Sequence, residues 1–354
     1  MKIIRLTTLL DFGGQEKKYI SFTESKSMHK NDYIFAAIGH GGFAQETIMK
    51  NGFPVVIFNQ NPSVSNFQNI WKLYKWLKKE KPDVVHTAAA EANFHGILAA
   101  KLAGVPRIVA EEIGFPNHSV KAKLSFRFIY TLADKVICVS ESVKNFLVSI
   151  KEIKPTDGVV VYNPVSPAKK IHKLQSAKFT IVSVGRLEKV KNQELLLRTF
   201  AQLDRQDCEL YLVGDGRERK YLENIITELN LKSKVFITGF TPEPEKYLAK
   251  ADLFVLPSLS EGFGIAAVEA IQYGVPCLCS KVGGLSEIIE EGVSGWLFDP
   301  NDRQDFLKQL NKILSLSPDE RNAIGEVSKV RILNKFSSEK YVENLENVYE
   351  SLYD

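Results

Sequence analysis

Short apolar runs alternate with helix-length segments along almost the whole chain, the pattern of parallel sheets built from strand–helix–strand units. In the first half, strands are expected at Lys2–Thr7, Tyr33–Ile38, Val55–Phe58, Val84–His86, Arg107–Glu111, Lys135–Val139 and Val159–Tyr162. Helical segments such as Asn69–Glu80 and Ala92–Ala103 lie between them, the latter stopped by Gly104 ahead of Val105-Pro106. The second half repeats the grammar, with strands expected at Phe179–Val184, Glu209–Val213, Val235–Thr238, Leu253–Pro257 and Pro276–Cys279, and helices such as Asn192–Leu203 and Lys220–Leu229.

Between the halves, Ser166–Lys178 lacks apolar periodicity and reads as a linker. A chain of 354 residues exceeds one average core. The expectation is two doubly wound α/β domains, 1–165 and 179–338, facing a cleft onto which strand carboxyl ends open. The last stretch, Glu339–Tyr353, reads as an amphipathic helix; whether it packs on its own domain or back on the N-terminal one is open at this stage.

The N-terminus runs directly into an apolar strand without a cleavage site, and no apolar run reaches the roughly 18 residues that span a bilayer. The expected location is the cytoplasm, with peripheral contact at the inner membrane face left open. Cys138 and Cys208 are isolated and Cys277-x-Cys279 alternates along a strand, so buried thiols are expected in place of a metal site. Residues 1–165 hold 21 Lys+Arg against 14 Asp+Glu. That basic half suggests an acidic partner, whether membrane surface, phosphate-bearing acceptor or nucleic acid.

The stretch Leu253–Ala270 carries the most chemistry. A buried strand enters the glycine-rich turn Glu261-Gly262-Phe263-Gly264, and an apolar helix containing Glu269 follows. Glycines let backbone N–H groups approach a ligand closely, and a helix N-terminus favours anions. Glu269 follows Glu261 by eight residues, about two helical turns. Carboxylates accept hydrogen bonds from hydroxyls, so the pattern suggests phosphates flanked by sugars. The bland reading makes Glu261 a cap and Glu269 an exposed helix position, yet Glu269 has Ala266, Ala267, Val268, Ala270 and Ile271 around it, a costly setting for an unpaired carboxylate. In the second constellation, Arg186 and Lys191 bracket the loop after the strand ending at Gly185. Two fixed cations there are able to neutralise a diphosphate. Alone, such a loop would read as solvated basic surface. Neither Gly39-His40-Gly41-Gly42 nor Gly214-x-Gly216 has the three-glycine dinucleotide spacing.

Gly-Arg-Leu-x-x-x-Lys after a strand, followed by Glu-Gly-Phe-Gly and a second Glu, resembles family 4 of the retaining GT-B glycosyltransferases (glycosyl transferases group 1). The resemblance spans the whole chain: Asp11-Phe12-Gly13-Gly14-Gln15-Glu16, Asp83-Val84-Val85-His86, Ala133–Ser140, Asn163-Pro164-Val165, Leu212–Gly216 and Val282–Ile289 match further family segments. It implies a GT-B fold of two Rossmann-like domains, the N-terminal one binding the acceptor and the C-terminal one a nucleotide-sugar donor. Arg186 and Lys191 would hold the diphosphate, Glu269 the ribose hydroxyls and Glu261 a hydroxyl of the transferred sugar. N–H groups of Phe263, Gly264 and Ile265 would complete the cradle, Gly13 and Gly14 would close over it, and Gly214 with the Gly239-Phe240 turn would flank the base. His86 is placed with the catalytic set, at parity with a structural role, because the family's second histidine is here Ala88; Glu91 and His95 are substitutes that helix solvation explains equally. No cofactor and no divalent metal is implied, since Arg, Lys and backbone dipoles supply the electrostatics.

Two basic amphipathic stretches remain. Lys72, Lys75 and Lys79 share one helix face and read as solvated surface. Lys121, Lys123 and Arg127, among the aromatic residues of 124–130, suggest contact with an anionic membrane. The expected activity is hexosyl or N-acetylhexosaminyl transfer with retention, from a UDP-sugar to a glycan or polyprenyl-pyrophosphate-linked acceptor in bacterial surface polysaccharide synthesis, with no nucleic-acid partner. The rivals are an epimerase or hydrolase of the same fold and a non-catalytic nucleotide-sugar-binding scaffold.

Overall fold

A computed structural model of the chain describes every residue except 26, 27, 167–177, 204 and 354; most of the expected linker lies outside the described residues. The chain divides into two compact units, Met1–Ser166 with Phe336–Asp354, and Pro167–Lys335.

Among its described residues the first unit holds a parallel sheet of β1 (Lys2–Thr7), β2 (Asp32–Ala37), β3 (Val55–Ile57), β4 (Val84–Ala88), β5 (Arg107–Glu112), β6 (Lys135–Cys138) and β7 (Gly158–Val160), in the order β3-β2-β1-β4-β5-β6-β7. The central strands are buried on both faces, which is why they read as continuous apolar runs. The helices between them are α1 (Gly14–Glu24), α2 (Phe43–Lys50), α3 (Gln68–Glu80), α4 (Ala90–Ala103), α5 (Val120–Tyr130) and α6 (Glu141–Ser149).

The second unit repeats this plan with β8 (Phe179–Val184), β9 (Cys208–Val213), β10 (Val235–Gly239), β11 (Leu253–Leu256), β12 (Cys277–Ser280) and β13 (Trp296–Phe298), ordered β10-β9-β8-β11-β12-β13. Its helices are α7 (Gln193–Phe200), α8 (Arg219–Glu228), α9 (Glu245–Leu248), α10 (Ile265–Gln272), α11 (Leu285–Ile288), α12 (Arg303–Leu314) and α13 (Pro318–Phe336). The sequence pattern misses the three-residue strand β13.

The final helix, α14 (Ser338–Glu350), belongs to the first unit and packs on α1. It fills that unit's core with Tyr341, Val342, Leu345 and Tyr349, each at most 2% exposed. The boundary falls before Phe336, not after residue 338. The Val165 N–H donates to the Phe336 carbonyl at 3.0 Å, and the Ser338 hydroxyl donates to the Val165 carbonyl at 3.2 Å. Those bonds hold 336–338 to the first unit. No helix among the described residues is long and apolar enough to cross a membrane.

Candidate active site

Strand order in the second unit reverses at β8, which lies between β9 and β11. In doubly wound sheets the carboxyl edge at such a reversal is where ligands bind. The loops after β8, β9, β10 and β11 meet there. The loop after β8 closes in a 3₁₀ turn, Lys189–Lys191, and Asn192 at φ 53° swings the chain into α7. The expected helix start at Asn192 is therefore a left-handed turn residue. This loop is pinned from both sides: the Leu187 N–H donates to Asp215 O (2.9 Å) after β9, and the Leu259 N–H donates to Val190 O (2.8 Å) after β11. The Gly214 N–H donates to Gly239 O at 3.1 Å, so the turn after β10 joins the same edge, with Phe240 standing 58% exposed beyond it.

The loop after β11 carries the glycine-rich turn. Gly264 has φ 108°, a conformation side chains strongly disfavour, and α10 begins immediately after it at Ile265. The N–H groups of Gly264 and Ile265 donate to no backbone carbonyl among the described residues. A helix start left open in this way carries partial positive charge suited to an anion. Phe263 is buried beneath the turn at 3% exposure. The turn rests directly on a second one: a Cβ on Gly284 would sit 2.6 Å from both the Gly262 carbonyl oxygen and Phe263 Cα, and the Gly284 N–H donates to Glu261 O at 3.1 Å.

The side chains meet in a way the sequence did not reveal. Lys191 Nζ lies 2.5 Å from Glu261 Oε2, and the Ser258 hydroxyl donates to the same oxygen at 3.3 Å. The cation assigned to the diphosphate and the carboxylate assigned to a sugar hydroxyl are paired with each other. Arg186 is exposed, and among the described residues its guanidinium has no ion-pair partner. Glu269 is half-buried on α10. It stands about one turn into that helix, not two turns beyond Glu261, because the helix begins only at Ile265. An outward cation, a second cation shared with a carboxylate, open N–H groups and a carboxylate on the following helix suit a ligand with an anionic centre and hydroxylated ends.

The chain matches the model described as "Glycosyl transferases group 1" over residues 166–331 and that described as "Glycosyltransferase Family 4" over residues 29–169. It is 30% identical over 311 residues to the UDP-Gal:alpha-D-GlcNAc-diphosphoundecaprenol alpha-1,3-galactosyltransferase of Escherichia coli, covering 81% of this chain and 80% of that protein. An uncharacterised glycosyltransferase of Methanocaldococcus jannaschii is 31% identical, over 86% of this chain and 88% of its own length. The chain belongs to the family 4 glycosyltransferases. The crystal structure of Anabaena HepE in complex with UDP superposes with TM-score 0.83 at 21% identity, covering 99% of this chain and 100% of that one, and the shared fold is GT-B.

Among the other expected site residues of this glycosyltransferase, Gly13 and Gly14 lie in the first unit at the start of α1, after the strand where that sheet's order also reverses. His86 is not presented to a ligand. It is 1% exposed in the middle of β4, with Nδ1 2.6 Å from the Tyr349 hydroxyl of α14 and Nε2 3.3 Å from Glu111 Oε2. Burial lowers its pKa to about 4. Because the sheet continues to Ala88, the expected strand end at His86 is an interior position. Glu111 completes a buried cluster with Lys18 Nζ at 2.6 Å and Arg5 Nη2 at 3.7 Å, and Arg5 also donates to the Tyr341 hydroxyl at 2.8 Å. Burial favours the neutral acid, but Lys18, His86 and Arg5 together hold the Glu111 carboxyl well below the usual carboxylate range. Arg5, set inside the apolar run Ile3–Leu6, was the available sequence signal for this cluster. Helix solvation does not account for His95, which is fully buried with Nε2 3.0 Å from the Ser63 carbonyl, whereas Glu91 accepts from the Thr8 hydroxyl at 3.2 Å. All four cysteines are buried free thiols.

Proposed function

We propose that this glycosyltransferase moves a hexosyl or N-acetylhexosaminyl group with retention from a UDP-sugar to a glycan or polyprenyl-pyrophosphate-linked acceptor in bacterial surface polysaccharide synthesis. The observation that carries the reading is the convergence of Arg186, the Lys191–Glu261 pair and the open N–H groups of Gly264 and Ile265 at the β8 strand-order reversal. The UDP donor and the lipid-linked acceptor are supported by the name of the E. coli relative and by UDP in the HepE structure.

In the proposed reaction the acceptor oxygen attacks the anomeric carbon from the face the phosphate leaves. The C1–O bond to the acceptor forms as the C1–O bond to phosphate breaks, and the acceptor proton passes to the departing phosphate oxygen. Arg186, Lys191 and the N–H groups of Gly264 and Ile265 stabilise the charge growing on that phosphate, so the scheme calls for no divalent metal. Glu269 accepts from ribose hydroxyls and Glu261 from a hydroxyl of the transferred sugar; Gly214 and Phe240 flank the base. Gly13 and Gly14 serve the donor from the N-terminal unit. The reaction takes place in the cytoplasm, at the inner face of the membrane.

The test is a calorimetric screen of UDP-, GDP- and ADP-sugars, repeated with Arg186→Ala. Micromolar binding of UDP-sugars, weakened by about 2 kcal/mol or more in the variant, is expected. No binding of any class by folded protein would remove the donor site. Product anomeric configuration by NMR decides retention, and turnover that persists in EDTA decides metal independence. Steady release of UDP with no sugar transferred to any acceptor would favour a hydrolase.

A further inference from the structure

The first unit exposes apolar side chains along one helix in strict register. On α5, Val120, Leu124 and Phe128 are 77%, 63% and 60% exposed and recur every fourth residue, a continuous stripe along the helix. The buried side of the same helix is supplied by Phe126, Ile129 and Tyr130, so the outer stripe is surplus to the core. Lys121, Lys123 and Arg127 flank it, and α5 contains no carboxylate.

The neighbouring α3 keeps its lysines solvated over a buried Leu73 and Leu77, as its sequence suggests, and adds exposed aromatic side chains beside them. Phe67 at its N-cap is 65% exposed and Trp71 57% exposed. Trp71 stacks on Tyr74 with centroids 5.0 Å apart, and Lys75 Nζ lies 5.5 Å above the indole. Four lysines populate α3, against one carboxylate at its last position. The two helices flank α4, and a chain of rings joins them across it: Phe67 to Phe94 at 6.3 Å, then Phe94 to Phe126 at 6.4 Å.

We infer that the outer faces of α3 and α5 form one docking surface for an anionic lipid bilayer, with Phe67, Trp71, Val120, Leu124 and Phe128 entering the headgroup boundary and the flanking cations meeting lipid phosphates. This deepens the lipid-linked-acceptor reading by naming the surface that would bring the enzyme to its acceptor. A nucleic acid would be met by the cations alone and would leave the Val120–Leu124–Phe128 stripe in water. Apolar residues at helical spacing between lysines and arginine are the composition of interfacial helices, and a contiguous exposed apolar surface of this kind marks an interaction site.

The test is flotation of the full chain with acceptor-free vesicles of phosphatidylcholine alone or with phosphatidylglycerol. Binding is expected on anionic vesicles only, falling steeply between roughly 0.05 and roughly 0.5 M NaCl. Each cation contributes about five-fold, so Lys121→Glu with Arg127→Glu lowers partitioning by about 25-fold or more. Leu124→Ser with Phe128→Ser lowers it by about ten-fold or more at unchanged charge. All four substituted side chains, Lys121, Leu124, Arg127 and Phe128, are exposed, and melting temperature and UDP binding of the variants are measured alongside. Equal binding to neutral and anionic vesicles, or wild-type binding by either folded variant, overturns the surface. Retention of the chain by nucleic acid with no vesicle binding also overturns it. Lost UDP binding in the wild type would count against the donor site instead, so the two failures are distinguishable.

Discussion

His86 Nδ1 lies 2.6 Å from the Tyr349 hydroxyl, joining β4 to α14 across 263 residues of chain. Both groups are buried, so each is the other's replacement for water. Tyr349→Phe strands the His86 nitrogen and is expected to cost about 1–3 kcal/mol, measured by urea unfolding. The pH dependence has a definite sign. Burial depresses the folded-state pKa of His86 from 6.5 to about 4, so its contribution is complete above 6.5 and is lost as pH falls toward 4. His86→Gln should be less stable than wild type at pH 7.5 yet show a shallower loss between pH 6.5 and 4. Its transfer rate per folded molecule should stay within a few-fold of wild type; a collapse of turnover in stable, folded variant would restore a catalytic role.

Glu112, at the end of β5, gives the opposite slope. It is 4% exposed, and burial with Glu152 nearby pushes its carboxyl up to about 8, from an ordinary 4.5. The folded chain therefore holds a proton that the unfolded chain releases, and stability declines as pH rises from 4.5 to 8. The isosteric, uncharged Glu112→Gln has no such term. Its melting temperature should match wild type near pH 4.5, pull ahead progressively to pH 8, and hold a constant lead above that. Parallel curves for the two proteins would mean that Glu112 is charged in the fold.

The sheets were legible because a parallel strand buried on both faces writes itself as an apolar run, and Lys2–Thr7 and Phe179–Val184 match their strands residue for residue. The three-residue β13 was not legible in this way. Glycine positions in the loops at the β8 strand-order reversal were legible too, since backbone approach leaves a compositional mark. What spacing does not encode is which charged side chains meet. Lys191 and Glu261 are 70 residues apart, and their loops meet because β8 pairs with β11 and the Leu259 N–H bonds to the Val190 carbonyl. His86 stayed open between two roles for a related reason: its partners, Glu111 on β5 and Tyr349 on α14, lie far along the chain, and without them a structural histidine and a catalytic one look alike.

Gly284 tests whether the glycine-rich turn is held by its neighbour. A side chain there meets backbone atoms of Gly262 and Phe263 at 2.6 Å, so the two turns must part. Overpacking of this kind costs about 1–3 kcal/mol. The displaced segment leads into Gly264 and Ile265, so Gly284→Ala should weaken UDP binding more than it lowers the melting temperature of the second unit's core would suggest. UDP affinity unchanged in Gly284→Ala would separate the turn from the donor.

The Lys191–Glu261 pair makes the sharpest demand. Its carboxylate occupies the ammonium group that a diphosphate would use, so free chain and phosphate compete for the same Nζ. Both side chains retain some exposure, 20% for Lys191 and 15% for Glu261, so the pair is reachable and its net worth is modest. Glu261→Gln frees Lys191 while keeping the shape of the site. UDP, which lacks the sugar, should then bind at least as tightly as to wild type, whereas Lys191→Ala should weaken it by about 2 kcal/mol. Transfer should fall in both variants, because the carboxylate's bond to a sugar hydroxyl and the lysine's charge on the leaving phosphate are each lost. Calorimetry with UDP alone separates the two effects. Weaker UDP binding in Glu261→Gln would show that the carboxylate positions Lys191 for the phosphate and does not compete with it.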